Sequence, residues 1–156
     1  MNKVIGQTSV LALLVIFAGL AHAQSPRIEG VPIKIGDSVE MVKKAYATTI
    51  EPEANQVGTR IDGTKLYLRS KGVLVVFDRQ GTVRTIRLEA PFSGNIGGVK
   101  IGHRRTEVEK LLGSPGKKMH PPKVQMESYD YFFDDSATTR FLFNDDDTVD
   151  AMIMFK

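Results

Sequence analysis

The sequence predicts an α+β fold: two tandem helix-plus-antiparallel-meander repeats sharing one curved sheet, with both helices on one face. Three observations predict it. The stretch Val31 to Tyr46 recurs as Val99 to Gly113, with Gly36 and Gly102, and Val42 and Val108, each 66 residues apart. The same offset pairs Ser70 with Ser136, Phe77 with Phe143, Thr82 with Thr148 and Val83 with Val149. A register held from Ile33 to Glu89 and again from Val99 to Phe155 fixes architecture before any single element does. Within each copy the apolar spacing then changes from a helical stripe to period-two alternation. Finally, one helix with a small antiparallel sheet buries too little to stand alone, so the copies must share a core.

The first residues read as a secretory signal peptide, 1–23. Lys3 gives the positive start, Val10 to Leu20 is an apolar run too short for a membrane span, and Ala21-His22-Ala23 is an A-x-A cleavage site. Repeat 1 is assigned to 24–92 and repeat 2 to 93–156, both in one compact domain. In the first, Asp37 or Ser38 caps a helix running to about Thr48, with Val39, Val42 and Tyr46 on its apolar stripe. Glu51 to Gly63 is polar, carries Pro52 and two glycines, and reads as a long connection. Strands follow at Lys65–Arg69, Val73–Asp78 and Val83–Glu89, with Gly81 suited to the left-handed position of a three-residue hairpin. Ala90 to Gly98 is a linker by composition. The second helix begins near Arg104 to Thr106 and stops at Gly113-Ser114-Pro115-Gly116. Gly116 to Lys123 is a basic loop. Tyr129–Asp134, Thr139–Asn144 and Val149–Phe155 are the matching strands, and Pro32–Ile35 and Gly98–Ile101 are candidates for a short fourth strand in each copy.

Composition narrows the function. The chain contains no cysteine, so there is no disulfide framework and packing must supply the stability. Residues 24–156 carry 20 basic and 18 acidic side chains, a formal charge of about +2. That balance, without a basic face set with aromatic platforms, excludes a nucleic-acid signature.

The pattern apolar-x-apolar-Gly, a capped helix with valine six residues after the glycine, then Leu-Gly-x-Pro, is clearest at Ile101-Gly102, Val108, Leu112-Gly113 and Pro115. It resembles the small outer-membrane-assembly lipoprotein family (SmpA/OmlA type), whose members have one such unit. It also resembles the β-lactamase inhibitory proteins, tandems of two units whose sheet grips an enzyme. The resemblance covers Ile33 to Phe155 and implies a fold and a protein-binding role. The chain departs from both, lacking the lipobox cysteine of the first and the stapling cysteines of the second, and it has Thr48-Thr49 where the second copy has Ser114-Pro115.

Catalytic and metal constellations are not evident. His103 and His120 lack the partners of a triad or metal site, and neither H-E-x-x-H nor G-x-S-x-G occurs. Asn144-Asp145-Asp146-Asp147 lacks the glycine and distal glutamate of a calcium loop and is the repeat equivalent of the turn Asp78-Arg79-Gln80-Gly81. No catalytic residue, metal or cofactor is assigned. His103-Arg104-Arg105 and Lys117-Lys118 with Lys123 are basic clusters, read either as solvated surface or as contacts for an acidic partner, anionic headgroup or cell-wall polymer.

Strand alternation divides the sheet. One face is read as core: Val73, Val75, Phe77 and Val83, then Phe141, Phe143, Val149, Ala151, Ile153 and Phe155. The other is read as open: Leu74, Val76, Arg84, Ile86 and Leu88, then Arg140, Leu142, Asp150, Met152 and Met154. Mixed apolar and charged surface with Met, Tyr and Arg is typical of protein interfaces. The partner-binding candidates are therefore Tyr129, Tyr131, Arg140, Leu142 and Met152, although the face taken by the two tyrosines is left open. The expected function is a non-catalytic periplasmic or secreted module binding another cell-envelope protein: an inhibitor or immunity protein facing a hydrolase or toxin. The alternatives are an envelope-assembly or cell-wall-associated adaptor and, third, a small hydrolase. Nucleic acid is not expected as a partner, nor a stable membrane anchor after signal cleavage. Oligomeric state is not legible.

Overall fold

A computed structural model describes residues 28–119, 126–134 and 137–156, with backbone only at Asp134. The leader read in 1–23, and with it His120 and Lys123, lies outside the described residues. The elements in chain order are β1 (Ile28–Glu29), α1 (Val39–Ala45), β2 (Glu53–Val57), β3 (Arg60–Leu68), a single 3-10 turn (Arg69–Lys71), β4 (Val73–Phe77), β5 (Val83–Glu89), β6 (Asn95–Ile96), α2 (Arg105–Leu112), β7 (Lys117–Met119), β8 (Glu127–Asp134), β9 (Ala137–Phe143) and β10 (Val149–Phe155). One antiparallel sheet of eight strands runs β2-β3-β4-β5-β10-β9-β8-β7, and β1 pairs with β6 in a separate two-stranded sheet.

The expected α+β class is thus corrected to a mostly β protein. Among the described residues the two helices have seven and eight residues, two turns each, against ten strands. The units are not helix-plus-three-strand meanders, because the stretches read as connections hold strands of their own. Glu53–Val57 is an edge strand, and Arg60 to Thr64 lengthens β3. Its exposed pattern hides it from a hydrophobicity reading, since a strand at the rim buries neither face. Lys117–Met119 is the other edge. The short strands expected at Pro32–Ile35 and Gly98–Ile101 are not formed. β1 and β6 instead cross the division placed between residues 92 and 93, joining Ile28 to Ile96 and Glu29 to Asn95.

The helix ends follow local chemistry. Ser38 caps α1, its hydroxyl accepting from the Met41 N–H at 3.3 Å. At α2 the Glu107 carboxylate reaches back to the Arg104 N–H at 2.7 Å. α1 stops at a pair of reversed bonds, Ala47 N–H to the Lys44 carbonyl and Thr48 N–H to the Lys43 carbonyl. This motif places Ala47 in the left-handed region, at φ 47°.

The repeated motif marks where each helix lead is tied to the sheet. Val83 donates its N–H to the Asp37 carbonyl (2.8 Å) and accepts from the Gly36 N–H (2.9 Å). Val149 does the same with His103 and Gly102, both at 2.8 Å. Just past each valine the ladder slips by one residue: Phe77 faces Val83 but Val76 faces Thr85, and Phe143 faces Val149 but Leu142 faces Ala151. Arg84 and Asp150 are the extra residues of two bulges.

Those bulges reverse the faces of β5 and β10. Ile86, Leu88, Met152 and Met154, expected on the open face, are all buried in the core. Ile153 and Phe155, expected in the core, turn to the other side opposite Arg140 and Thr138. Ala151 turns with them, opposite Leu142, and is buried there. A one-residue slip moves every following side chain across the sheet. Val42, Val108, Ile33, Phe92, Ile96 and Val99 complete the core from the helices and connecting segments.

Two stability outcomes follow. Met152→Ala is expected to cost about 2–5 kcal/mol as a buried cavity, whereas Leu142→Ala, half-exposed, should cost under about 1 kcal/mol. Denaturant melts of both variants check the assignment, and the reverse order would restore an unbulged β10. Ala47→Gly should stabilise the protein by about 1 kcal/mol, because glycine adopts the left-handed conformation without the Cβ clash. The same denaturation assay reads it.

Candidate binding face of the sheet

Once the bulges are counted, the face turned away from the helices is defined by cross-strand register. A row crosses six strands: Tyr67 (β3), Leu74 (β4), Arg87 (β5), Ile153 (β10), Arg140 (β9) and Asp130 (β8). No helix or strand among the described residues packs over this row; the segments outside the sheet join the core on the opposite face. Its apolar members Leu74 and Ile153, with Val76, Leu142 and Phe155 beside them, are half-buried rather than enclosed.

The charges on this face are held by one another. Arg140 donates to both oxygens of Asp130, Nε to Oδ1 at 2.7 Å and Nη2 to Oδ2 at 2.9 Å, and lies 5.0 Å from the Phe155 ring centroid. Asp130 is itself buried. The hydrogen bond to Asp130 raises the Arg140 pKa further above its ordinary value. Near the other end, Glu89 accepts from the Tyr67 hydroxyl and from Arg87 Nε (2.7 Å), while the Arg69 guanidinium lies 4.5 Å from the Tyr67 ring centroid. The Tyr67 hydrogen bond, followed by that of Arg87, holds the Glu89 carboxyl below its usual range, and the same bond to Glu89 pushes the Tyr67 phenol up. Arg84 pairs with Asp62 at 2.7 Å.

Of the residues expected to bind a partner, Arg140 and Leu142 lie on this face. Tyr129, Tyr131 and Met152 do not. Met152 is fully buried opposite Phe141. Tyr129 and Tyr131 are 4% exposed and meet Phe143 and Phe141 edge-on, with centroids 5.0 and 5.6 Å apart. Their face follows from hairpin length. Leu68 pairs with Val73 five residues on, but Tyr131 pairs with Thr139 eight residues on. The second hairpin is three residues longer, so Tyr129 and Tyr131, not Phe132 and Asp134, take the places of Leu66 and Leu68. Tyr67, Arg87 and Glu89 are not among the expected binding residues, and Ile153 is expected in the core. Unbroken alternation from Val83 puts Arg87 and Glu89 on the core side, and only the bulge at Arg84 turns them to the open face.

The basic clusters resolve into separate roles. Arg105 pairs with Glu127 and Asp147 and lies 5.0 Å from the Phe143 ring centroid. Lys118 binds Glu109 at 2.8 Å. Asn144–Asp147 is a turn: the Asn144 side-chain oxygen accepts from the N–H groups of Asp146 (3.1 Å) and Thr148 (3.0 Å), as Asp78 does from Gln80 and Thr82, both at 2.9 Å. Among the described residues no group of three or more His, Asp or Glu has metal-binding geometry.

The fold and this face describe a mostly β protein whose eight-stranded sheet is covered on one side and, among the described residues, open on the other. No protein-family model matches the chain, and no curated protein does. Among solved structures, a DUF4309 family protein from Bacillus subtilis, YjgB, is similar over 81% of this chain and 82% of its own, with a TM-score of 0.51 and 16% identity. At that identity the likeness is one of fold.

The Tyr67–Glu89 bond gives a pH-dependent outcome. A carboxyl whose folded pKa is depressed adds stability above its ordinary pKa and loses it as pH falls through the depressed value. Tyr67→Phe should raise the Glu89 pKa in a carboxyl NMR titration. The variant's stability should also fall less steeply than the parent's on acidification. An unmoved Glu89 titration would mean the phenol does not hold the carboxylate.

Proposed function

We propose that this protein is a non-catalytic binding module of the cell envelope that takes another protein against the uncovered face of its sheet. The observation that carries the reading is the row from Tyr67 to Asp130. It crosses most of the sheet, its cations are held in place by carboxylates and rings, and its aliphatic members stay half-exposed between them. Fixed charges around apolar anchors give an interface specificity at little cost in side-chain entropy, because the ordering is already done. The resemblance of the Ile101–Pro115 motif to the β-lactamase inhibitory proteins points the same way. On this reading the protein is an inhibitor or immunity protein, exported by the segment 1–23, and its partner is an envelope hydrolase or toxin.

The test starts with the tagged chain in an envelope extract, followed by binding curves with the purified partner. Leu74→Asp and Ile153→Asp place a charge in the middle of the face and should weaken the complex by roughly 100-fold or more, while leaving a cooperative melt. Unchanged affinity in both variants would remove this face from the interface.

A further inference from the structure

At the edge of the sheet, the end of α1 stands beside the 3-10 turn Arg69–Lys71. Two cavities of about 430 and 530 Å³ lie there side by side, sharing Tyr46, Ala47, Ser70 and Lys71. Together they form one groove. One end is bounded by Pro91 and Phe92, the other by Tyr67 and Leu68. Each half alone lies in the size range of small-molecule sites.

Three features distinguish the groove from an ordinary surface fold. First, its charge has one sign. Among the described residues, Lys71 and Arg69 line it and no aspartate or glutamate does. The neighbouring carboxylates are engaged elsewhere, Glu89 by Tyr67 and Arg87, Glu51 by Lys43. Arg69 is committed to the Tyr67 ring, while Lys71 has no ion pair among the described residues. Second, the Tyr46 hydroxyl is buried with no hydrogen-bond partner, and burial pushes its pKa up to about 12. It is a neutral donor with no acceptor among the described residues, a state that costs stability. Third, the left-handed turn that ends α1 sets Ala47 at the wall shared by both cavities, so the groove is shaped by the helix end itself.

We propose that this groove binds a small carboxylate, of the size of a capped amino acid or dipeptide. Lys71 takes the carboxylate beside the Ser70 hydroxyl. Ala45, Ala47 and Val73 form the apolar wall for a short side chain. A monoanion is the charge that one uncommitted ammonium balances. A phosphate dianion calls for more cations than the one ammonium left uncommitted here. The carboxylate can belong to a free acid or to the end of a peptide chain. The groove touches the open face only at Tyr67 and Arg69, and the residues that hold the carboxylate, Lys71 and Ser70, lie outside the row proposed to bind a partner.

The experiment titrates the full chain with N-acetyl-alanine, N-acetyl-alanyl-alanine, the C-terminal amide of that dipeptide, and inorganic phosphate, followed by amide NMR and calorimetry. An acid should bind, shift the Ala47, Ser70 and Lys71 amides, and bind at least tenfold more tightly than the amide. Equal affinity for the two acids assigns the site to free acids, and tighter binding of the dipeptide assigns it to chain ends. K71Q, at an exposed position, should lose at least tenfold in affinity with an unchanged melting temperature. The proposal is overturned if the amide binds as well as the acid, if K71Q binds normally, if phosphate alone binds, or if the shifts fall outside the groove.

Discussion

The structure depends on four backbone hydrogen bonds, two at Val83 and two at Val149. Each valine gives its N–H and carbonyl to the segment that leads into a helix, Gly36-Asp37 or Gly102-His103. Those bonds fix the helix lead beside the start of an inner strand. Both glycines have positive φ, 95° and 87°, which lets the chain turn into the helix directly after the bond. Next to each tie the ladder takes in one extra residue, and that residue decides which side chains of β5 and β10 fill the core. Leu88 and Met152 then meet in the core, as do Ile86 and Met154, at the pairing that joins the two halves of the sheet.

Much of this was legible in the sequence, and what was not has specific causes. The 66-residue offset locates both ties, both hairpin turns and the strands β4, β5, β9 and β10, because each rests on short-range chemistry: a glycine, an Asx side chain, an alternating run. The bulges at Arg84 and Asp150 leave no mark of that kind. Each follows a valine hydrogen-bonded to a segment more than 40 residues away in the chain, a contact that no local pattern records. Period-two counting runs through them and returns the wrong face for Ile86, Leu88, Met152 and Met154. The edge strand Glu53–Val57 was hidden by polarity, and the three added residues of the second hairpin hid the parity of Tyr129 and Tyr131. Arg140 and Leu142 were placed correctly because β9 contains no slip between them and the core-facing Phe141 and Phe143.

The two halves share geometry more than chemistry. Val39 and Arg105 occupy the same register position at the start of α1 and α2. Val39 is apolar and packs against the core, whereas Arg105 joins Glu127 and Asp147 and lies over two aromatic rings. One half is therefore closed by apolar packing and the other by a cation, so salt and acid act on them unequally.

Arg87 and Ile153 face each other where β5 meets β10, and they too are 66 residues apart. The junction is therefore a local two-fold axis, the arrangement by which a pair of identical subunits would associate. In a dimer such a contact comes apart on dilution. Here the linker between the strands keeps it at a fixed, high effective concentration. Freed from having to match an identical copy, the surfaces on either side of the axis can diverge, and the axis residues already differ: a cation on one strand faces an aliphatic on the other.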